Sequence, residues 1–355
     1  MHPRSLEDTI ARLPSPQTPE LKSPGFSPRH DAETKLVLGV HSMRNHMTDE
    51  GWQITHGLAL NGYIHCGHGL EEPSVDVRDM IERYRPGTVV LQDIREWDSK
   101  RGDFRDPRAR FENVNTLTQY PEIFKLTILK DSHQNPQYHR DAAQDMDCHA
   151  WIVYYHPKIV KHLAPYVREH HLIRTWHTVN AAAVPTFNPN RSGCLFSGAI
   201  SNVYPLRQKI RSAMGRLPVH MLQHPGYHRK GSATPEFLQT LSQYKVAICT
   251  SSIYGYSLRK IIEAVCCGCR VITDLPLEEL LPVISLPAAE HCLIRVNPAI
   301  SIDDLREVIL TAECEYDEDL MRTISAAATY FYNFPNVTKK LAQDIQALRN
   351  IYERR

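Results

Sequence analysis

Arg259, Lys260 and Glu263 are spaced to share the early turns of one helix, and that grouping sets the chemistry. Leu258, Ile261, Ile262, Val265 and Cys266 follow the spacing of a buried helix face, and Ser257 stands where an N-cap is wanted. Gly268 is placed for a left-handed C-cap, and Val271-Ile272-Thr273 opens a strand after it. With the strand-like run before it, the segment 245–276 reads strand, loop, helix, strand, the unit of parallel sheets. A helix entrance above such a sheet favours anions. A carboxylate one turn further in can accept hydrogen bonds from sugar hydroxyls. Together these groups suit a nucleotide diphosphate carrying a sugar.

This segment resembles the donor-binding segment of the "group 1" nucleotide-sugar glycosyltransferases of the GT-B fold. It commonly reads Pro-Leu-Lys-Leu-Phe-Glu-Tyr-Met-Ala-Cys-Gly-x-Pro-Val-Ile. Leu258, Lys260, Ile261, Ile262, Glu263, Cys267, Gly268, Val271 and Ile272 fall in register with it. The resemblance implies that Glu263 binds the donor ribose and that Lys260 and Arg259 lie near the diphosphate. Many members carry a further glutamate eight positions before the ribose-binding one. Gly255 stands there in this chain, so the paired glutamates are not present, and donor sugar and stereochemistry stay open.

The elements needed to carry that segment are legible along the chain. It has 355 residues, enough for two domains. Residues 1–33 are rich in Pro, Ser and charge and read as a disordered leader. Strands are predicted at Lys35–Val40, Tyr63–Cys66, Thr88–Gln92, Lys125–Leu129, Ala150–Tyr155 and Leu172–Thr175, with helices at Trp52–Leu60 and Val75–Tyr84. They form an expected N-terminal, acceptor-binding Rossmann-like lobe over 34–180. Residues 181–193 read as a linker. A second lobe, over 194–325, is expected from strands Cys194–Phe196, Val219–Leu222, Tyr244–Cys249 and Cys292–Val296, with helices Pro205–Met214, Pro235–Gln243 and Ile302–Thr311. The remainder, 326–355, is mostly helical with a break near Asn333–Pro335, and the resemblance implies that Val337–Tyr352 crosses back to the first lobe. The fold class expected is α/β, two Rossmann-like lobes with parallel sheets.

Ligands of such sheets lie beyond the carboxyl ends of the strands. Gly198 follows the first strand of the second lobe, where it permits close backbone approach to a phosphate, and Arg207 follows on the next helix. Tyr227 is placed to line the nucleotide base, and Tyr254 joins the donor-side candidates. In the first lobe, Asp131 is a candidate general base, with His133 beside it to orient a substrate. His46 is the next candidate base. Arg44 and Asn45 in the same loop, and Arg95 and Glu96 after the third strand, are candidate acceptor contacts.

A net charge of +1 argues against a chain built to coat nucleic acid or an acidic membrane. The polar N-terminus lacks an apolar signal core, and no run of about eighteen apolar residues occurs, so a cytoplasmic chain without a membrane span is expected. Nine cysteines, several in apolar runs, read as buried thiols of a reducing compartment. Cys266, Cys267 and Cys269 lack a second cluster to complete a zinc site, and His65-Cys66-Gly67-His68 is an isolated fragment. No bound metal or cofactor is expected besides the nucleotide sugar as co-substrate. The expected activity is hexosyl or pentosyl transfer to an unknown acceptor (small molecule, glycan, protein or modified nucleic acid). The alternatives are a sugar-nucleotide epimerase-like enzyme, a DNA-modifying glycosyltransferase, or a non-catalytic nucleotide-sugar-binding module.

Overall fold

A computed structural model describes residues 31–39, 41, 49–92, 97–98, 103–104, 111–129, 143–156, 171–223 and 232–354. Two sheets account for the architecture. The first is built from β1 (Asp31–Leu38), α1 (Glu50–Leu60), β2 (Ile64–Cys66), α2 (Val77–Tyr84), β3 (Pro86–Gln92), β6 (Phe124–Leu129), β7 (Ala150–Val153) and β8 (His171–Arg174). Between them β4 (Trp97–Asp98) and β5 (Asp103–Phe104) form a small antiparallel pair. The strand order is β2-β1-β3-β6-β7-β8, with every pairing parallel. β3, β6 and β7 are buried along their whole length, which is why they read as continuous apolar or β-branched runs.

The second sheet contains β9 (Cys194–Ser197), α3 (Pro205–Ser212), β10 (Val219–Leu222), α4 (Thr234–Leu241), β11 (Val246–Ile248), α5 (Arg259–Cys266), β12 (Arg270–Thr273), α6 (Leu281–Ile284), α7 (Ala289–Cys292) and β13 (Leu293–Arg295). Its order is β10-β9-β11-β12-β13, again all parallel. Alternate residues face two different cores. Leu195, Ala247 and Val271 pack with α4, α5 and α9 (Glu318–Tyr332). Phe196, Val246, Ile248 and Ile272 pack with α3 and α8 (Ile302–Cys314). In both sheets the chain leaves its first strand to one side and then returns to the other, so β1/β3 and β9/β11 are the topological switch points where ligands of open sheets bind.

The last helix, α10 (Phe334–Glu353), crosses back to the first sheet. Leu341, Ile345 and Leu348 complete that sheet's core. Arg349 Nη1 donates to Thr88 Oγ1 at 3.1 Å, and Tyr352 Oη donates to the His149 carbonyl at 3.2 Å. The break predicted near Asn333 is where α9 ends. Pro335 cannot extend the preceding helical ladder and takes the first turn of α10 instead.

Some boundaries differ from expectation. β1 begins at Asp31 and ends at Leu38, and β3 begins at Pro86, ahead of the expected Thr88. α5 starts at Arg259 with Leu258 as N-cap, and Ser257 does not cap it. The Ser257 amide donates to Glu279 Oε2 at 3.1 Å and its carbonyl faces His177 Nε2, so this residue is held by tertiary contacts in an extended approach to the helix. Gly268 has φ +79°, the left-handed stop the sequence predicts. No helix among the described residues is long and apolar enough to cross a membrane.

Candidate active site

The carboxyl ends of β9 and β11, at the second sheet's switch point, converge on two cations. Gly198 follows β9 with φ +127°, a conformation that side chains resist. A Cβ there would lie 2.5 Å from Arg207 Nη1 and 3.1 Å from Lys260 Nζ, so the glycine, the guanidinium and the ammonium occupy one corner. Arg207 on α3 is buried. Its Nε donates to Thr250 Oγ1, just beyond β11, at 2.8 Å, its Nη1 donates to the Ala199 carbonyl at 3.2 Å, and its guanidinium lies 3.7 Å from the Tyr204 ring centre. Lys260 on α5 donates to Ser197 Oγ at 3.2 Å and stands 5.3 Å from the Phe237 ring centre. Among the described residues no carboxylate lies within ion-pair distance of Lys260. Burial, and then the like charge of Arg207, bring its ammonium down to a pKa of about 8. A corner of two crowded, desolvated cations beside a side-chain-free turn and a helix entrance is chemically an anion site. Gly198, Arg207 and Lys260 were singled out from the sequence, and the fold brings them together.

Arg259, the neighbour of Lys260, turns the other way. Its Nε donates to the Thr178 carbonyl at 2.8 Å and lies 3.3 Å from Glu263 Oε1, while Nη1 donates to Asp49 Oδ1 at 2.8 Å. Asp49 also accepts from Thr234 Oγ1, at the start of α4, at 3.2 Å. Beside it Glu50 Oε1 meets His177 Nδ1 at 2.8 Å. Burial alone would lower the guanidinium's pKa, but Glu263, Glu50 and Asp49 outweigh it and hold it above its usual value. Glu263 is buried in the same cluster. Desolvation raises its pKa above the ordinary carboxylate range against the pull of Arg259 and Lys260, with Glu50 and Asp49 adding to the rise. Arg259 is therefore committed to carboxylates and to the first lobe, and it does not join Arg207 and Lys260 at the Gly198 turn.

Tyr254 stacks on Tyr256, with ring centres 6.0 Å apart, and packs against the core of the first lobe. Gly255, where the second glutamate of the resembling pattern would stand, has φ +68°, a turn geometry that disfavours a glutamate. His46, Arg44, Asn45, Arg95, Glu96, Asp131, His133 and Tyr227 lie outside the described residues. Among those described, no group of three or more His, Cys, Asp or Glu side chains is arranged to hold a metal ion. Eight cysteines are buried free thiols, with Cys314 exposed, and burial pushes Cys266 and Cys269 up to about 12. Sequence reasoning missed Asp49, Ser197, Thr250 and Thr234, whose partners lie far along the chain. The only local signal was that Ser197 ends the strand before the glycine turn.

A second carboxylate joins the two lobes. Glu279, buried after β12, accepts from the His156 amide and from Ser257 N, and lies 3.4 Å from Arg174 Nη2. The two sheets thus meet through buried charged groups at two places.

No family model matches the chain, and no curated protein sequence matches it. Solved structures do superpose on it. HepE from Anabaena, crystallised with UDP, matches 88% of this chain and 100% of its own at TM-score 0.53 and 9% identity. A glycosyltransferase from Rickettsia africae matches 89% of this chain and 98% of its own at TM-score 0.52 and 12% identity. The pneumococcal O-GlcNAc transferase GtfA covers 76% of this chain at TM-score 0.44 and 13% identity. This chain spans 59% of GtfA's length, and that superposition is too loose to carry weight. At these identities the likeness is one of fold, and the fold is GT-B.

Proposed function

We propose that this chain is a glycosyltransferase that takes a sugar from a nucleotide diphosphate and passes it to an acceptor held against the first lobe. The observation carrying this reading is the corner where Arg207 and Lys260 crowd together at the Gly198 turn. Lys260 stands beside the like charge of Arg207 with no carboxylate within ion-pair distance among the described residues, and a diphosphate supplies an anion of the right size and sign. HepE is crystallised with UDP and with UDP-glucose, which supports a nucleoside diphosphate as the class of ligand. Glu263 is proposed to accept hydrogen bonds from the donor ribose, sharing its carboxylate with Arg259.

In this reading Arg207, Lys260 and the entrance of α5 neutralise the charge that grows on the leaving diphosphate, with no obligatory metal. A retaining course needs no protein base, because the leaving phosphate can take the acceptor's proton; this is the course favoured. In an inverting course Asp131 is the first base and His46 the second. Gly255 in place of a second glutamate favours one other reading, a binding module that grips the nucleotide sugar without turning it over.

A panel of nucleoside diphosphates and their sugars, UDP and UDP-glucose first, tests the proposal by thermal denaturation. A true ligand at 100 times its Kd should add about 2.7 kcal/mol of stability. A panel in which nothing raises the melting temperature overturns it. Sugar release on adding acceptors then separates enzyme from binding module, and Asp131→Asn should lower turnover while sparing UDP binding if inversion is the course.

A further inference from the structure

We infer that Arg259 and Asp49 are a positioning pair through which the seating of the first lobe controls how Glu263 presents itself to a donor. The inference rests on the reading of Glu263 given above. Asp49 occupies the N-cap of α1, where an aspartate ordinarily accepts from its own helix, yet its side chain makes no cap bond. Its carboxylate reaches across to Arg259 Nη1 and Thr234 Oγ1 of the second lobe instead. Its backbone is held at φ 38°, ψ −1°, a left-handed conformation costly for a residue with a side chain. A cap is forgone and strain accepted at one residue, and what is gained is a bond to Arg259, 210 residues away.

Arg259 divides one guanidinium between the lobes. Its Nη1 serves Asp49, and its Nε is shared by Thr178 O and Glu263 Oε1. While Asp49 holds Nη1, Arg259 offers Glu263 a single-edged contact at 3.3 Å, which favours the ionised carboxylate against its burial and leaves lone pairs for sugar hydroxyls. Loss of Asp49 would let the guanidinium turn further toward Glu263 and occupy those lone pairs. Seating of the lobes and donor grip are then one coupled equilibrium.

The coupling has a pH signature. Glu263 is faced by Arg259 and Lys260 from its own helix and by Asp49 and Glu50 from the start of α1. His177, after β8, pairs with Glu50. Removing the cation should drive Glu263 to titrate higher; removing the Asp49 charge should let it titrate lower.

The test is UDP affinity from pH 4 to 8 for the full chain and for E263Q, R259Q, R259K and D49N. E263Q should weaken UDP about tenfold at neutral pH and flatten the acid limb. R259Q should move the limb up by about one pH unit and D49N should move it down, while R259K restores part of the wild-type profile. D49N should also weaken UDP at neutral pH, since Arg259 then competes for Glu263. A purely structural role would not shift the limb in opposite directions. If E263Q leaves affinity and its pH dependence intact, the reading of Glu263 falls and the coupling with it. If E263Q behaves as expected but the R259Q and D49N limbs overlie the wild type, only the coupling is overturned. Should R259Q fail to fold, D49N and R259K decide, with Thr234→Ala expected to follow D49N at reduced size.

Discussion

Arg259 and Lys260 are adjacent on the first turn of α5, carry the same charge, and meet opposite surroundings. Arg259 is held by Asp49 and Glu263 and its charge is reinforced. Lys260 faces Arg207 and a bare glycine turn, and its charge is opposed. One cation completes a structural network, and the other has no carboxylate within ion-pair distance among the described residues. In a buried polar region, a cation's function shows in whether its charge is balanced from within the protein.

The comparison breaks most visibly in stability. Arg259→Gln leaves the buried Glu263 and the half-buried Asp49 without their cation and should cost about 3–5 kcal/mol, read by urea denaturation. Lys260→Met, by contrast, removes an opposed charge and should leave the apo protein as stable or more so. A destabilised K260M and an unaffected R259Q would reverse the account.

Gly198→Ala sharpens the anion corner. The new methyl would meet Arg207 in a backbone conformation that alanine resists, so a loss of about 1–3 kcal/mol is expected in the same denaturation experiment, with weaker UDP binding. Acidity offers the next contrast. The Lys260 pKa is lowered from 10.5 to about 8 in the folded chain, so between these values the unfolded chain binds the extra proton. Through this group stability should therefore rise as pH climbs through that window, its penalty being fully present below it. Ligand affinity should run the other way, falling up to about tenfold per pH unit above 8 as the ammonium is lost, and Lys260→Arg should remove that limb. The smallest effect is a control: the exposed Arg216–Asp303 pair at 2.7 Å should be worth under about 1 kcal/mol when Arg216 is changed to Ala.

Local signals carried much of this structure into the sequence. Apolar strands, a proline opening α3, and Gly268 closing α5 each depend on residues a few positions apart, and all are found in place. Gly198 and Arg207 were picked out from a strand end of a parallel sheet and Lys260 from its helix and the resemblance, and the fold sets the three side by side. What the sequence could not express was partnership at a distance. The Arg259–Asp49 bond joins residues 210 apart, and His177–Glu50 joins residues 127 apart. Ser257 looked like a helix cap from its neighbours, but Glu279 and His177 claim its backbone. Asp49 likewise stands at a cap position and bonds elsewhere. Charge pairing across a crevice is decided by tertiary packing, and one-dimensional spacing is silent about it.

The most direct test is calorimetric titration of UDP into the wild-type chain and into K260M at neutral pH. The account predicts binding to the wild type and a loss of about ten- to a hundredfold in affinity in a K260M protein that melts no lower than its parent. Equal affinity in the two proteins would contradict it.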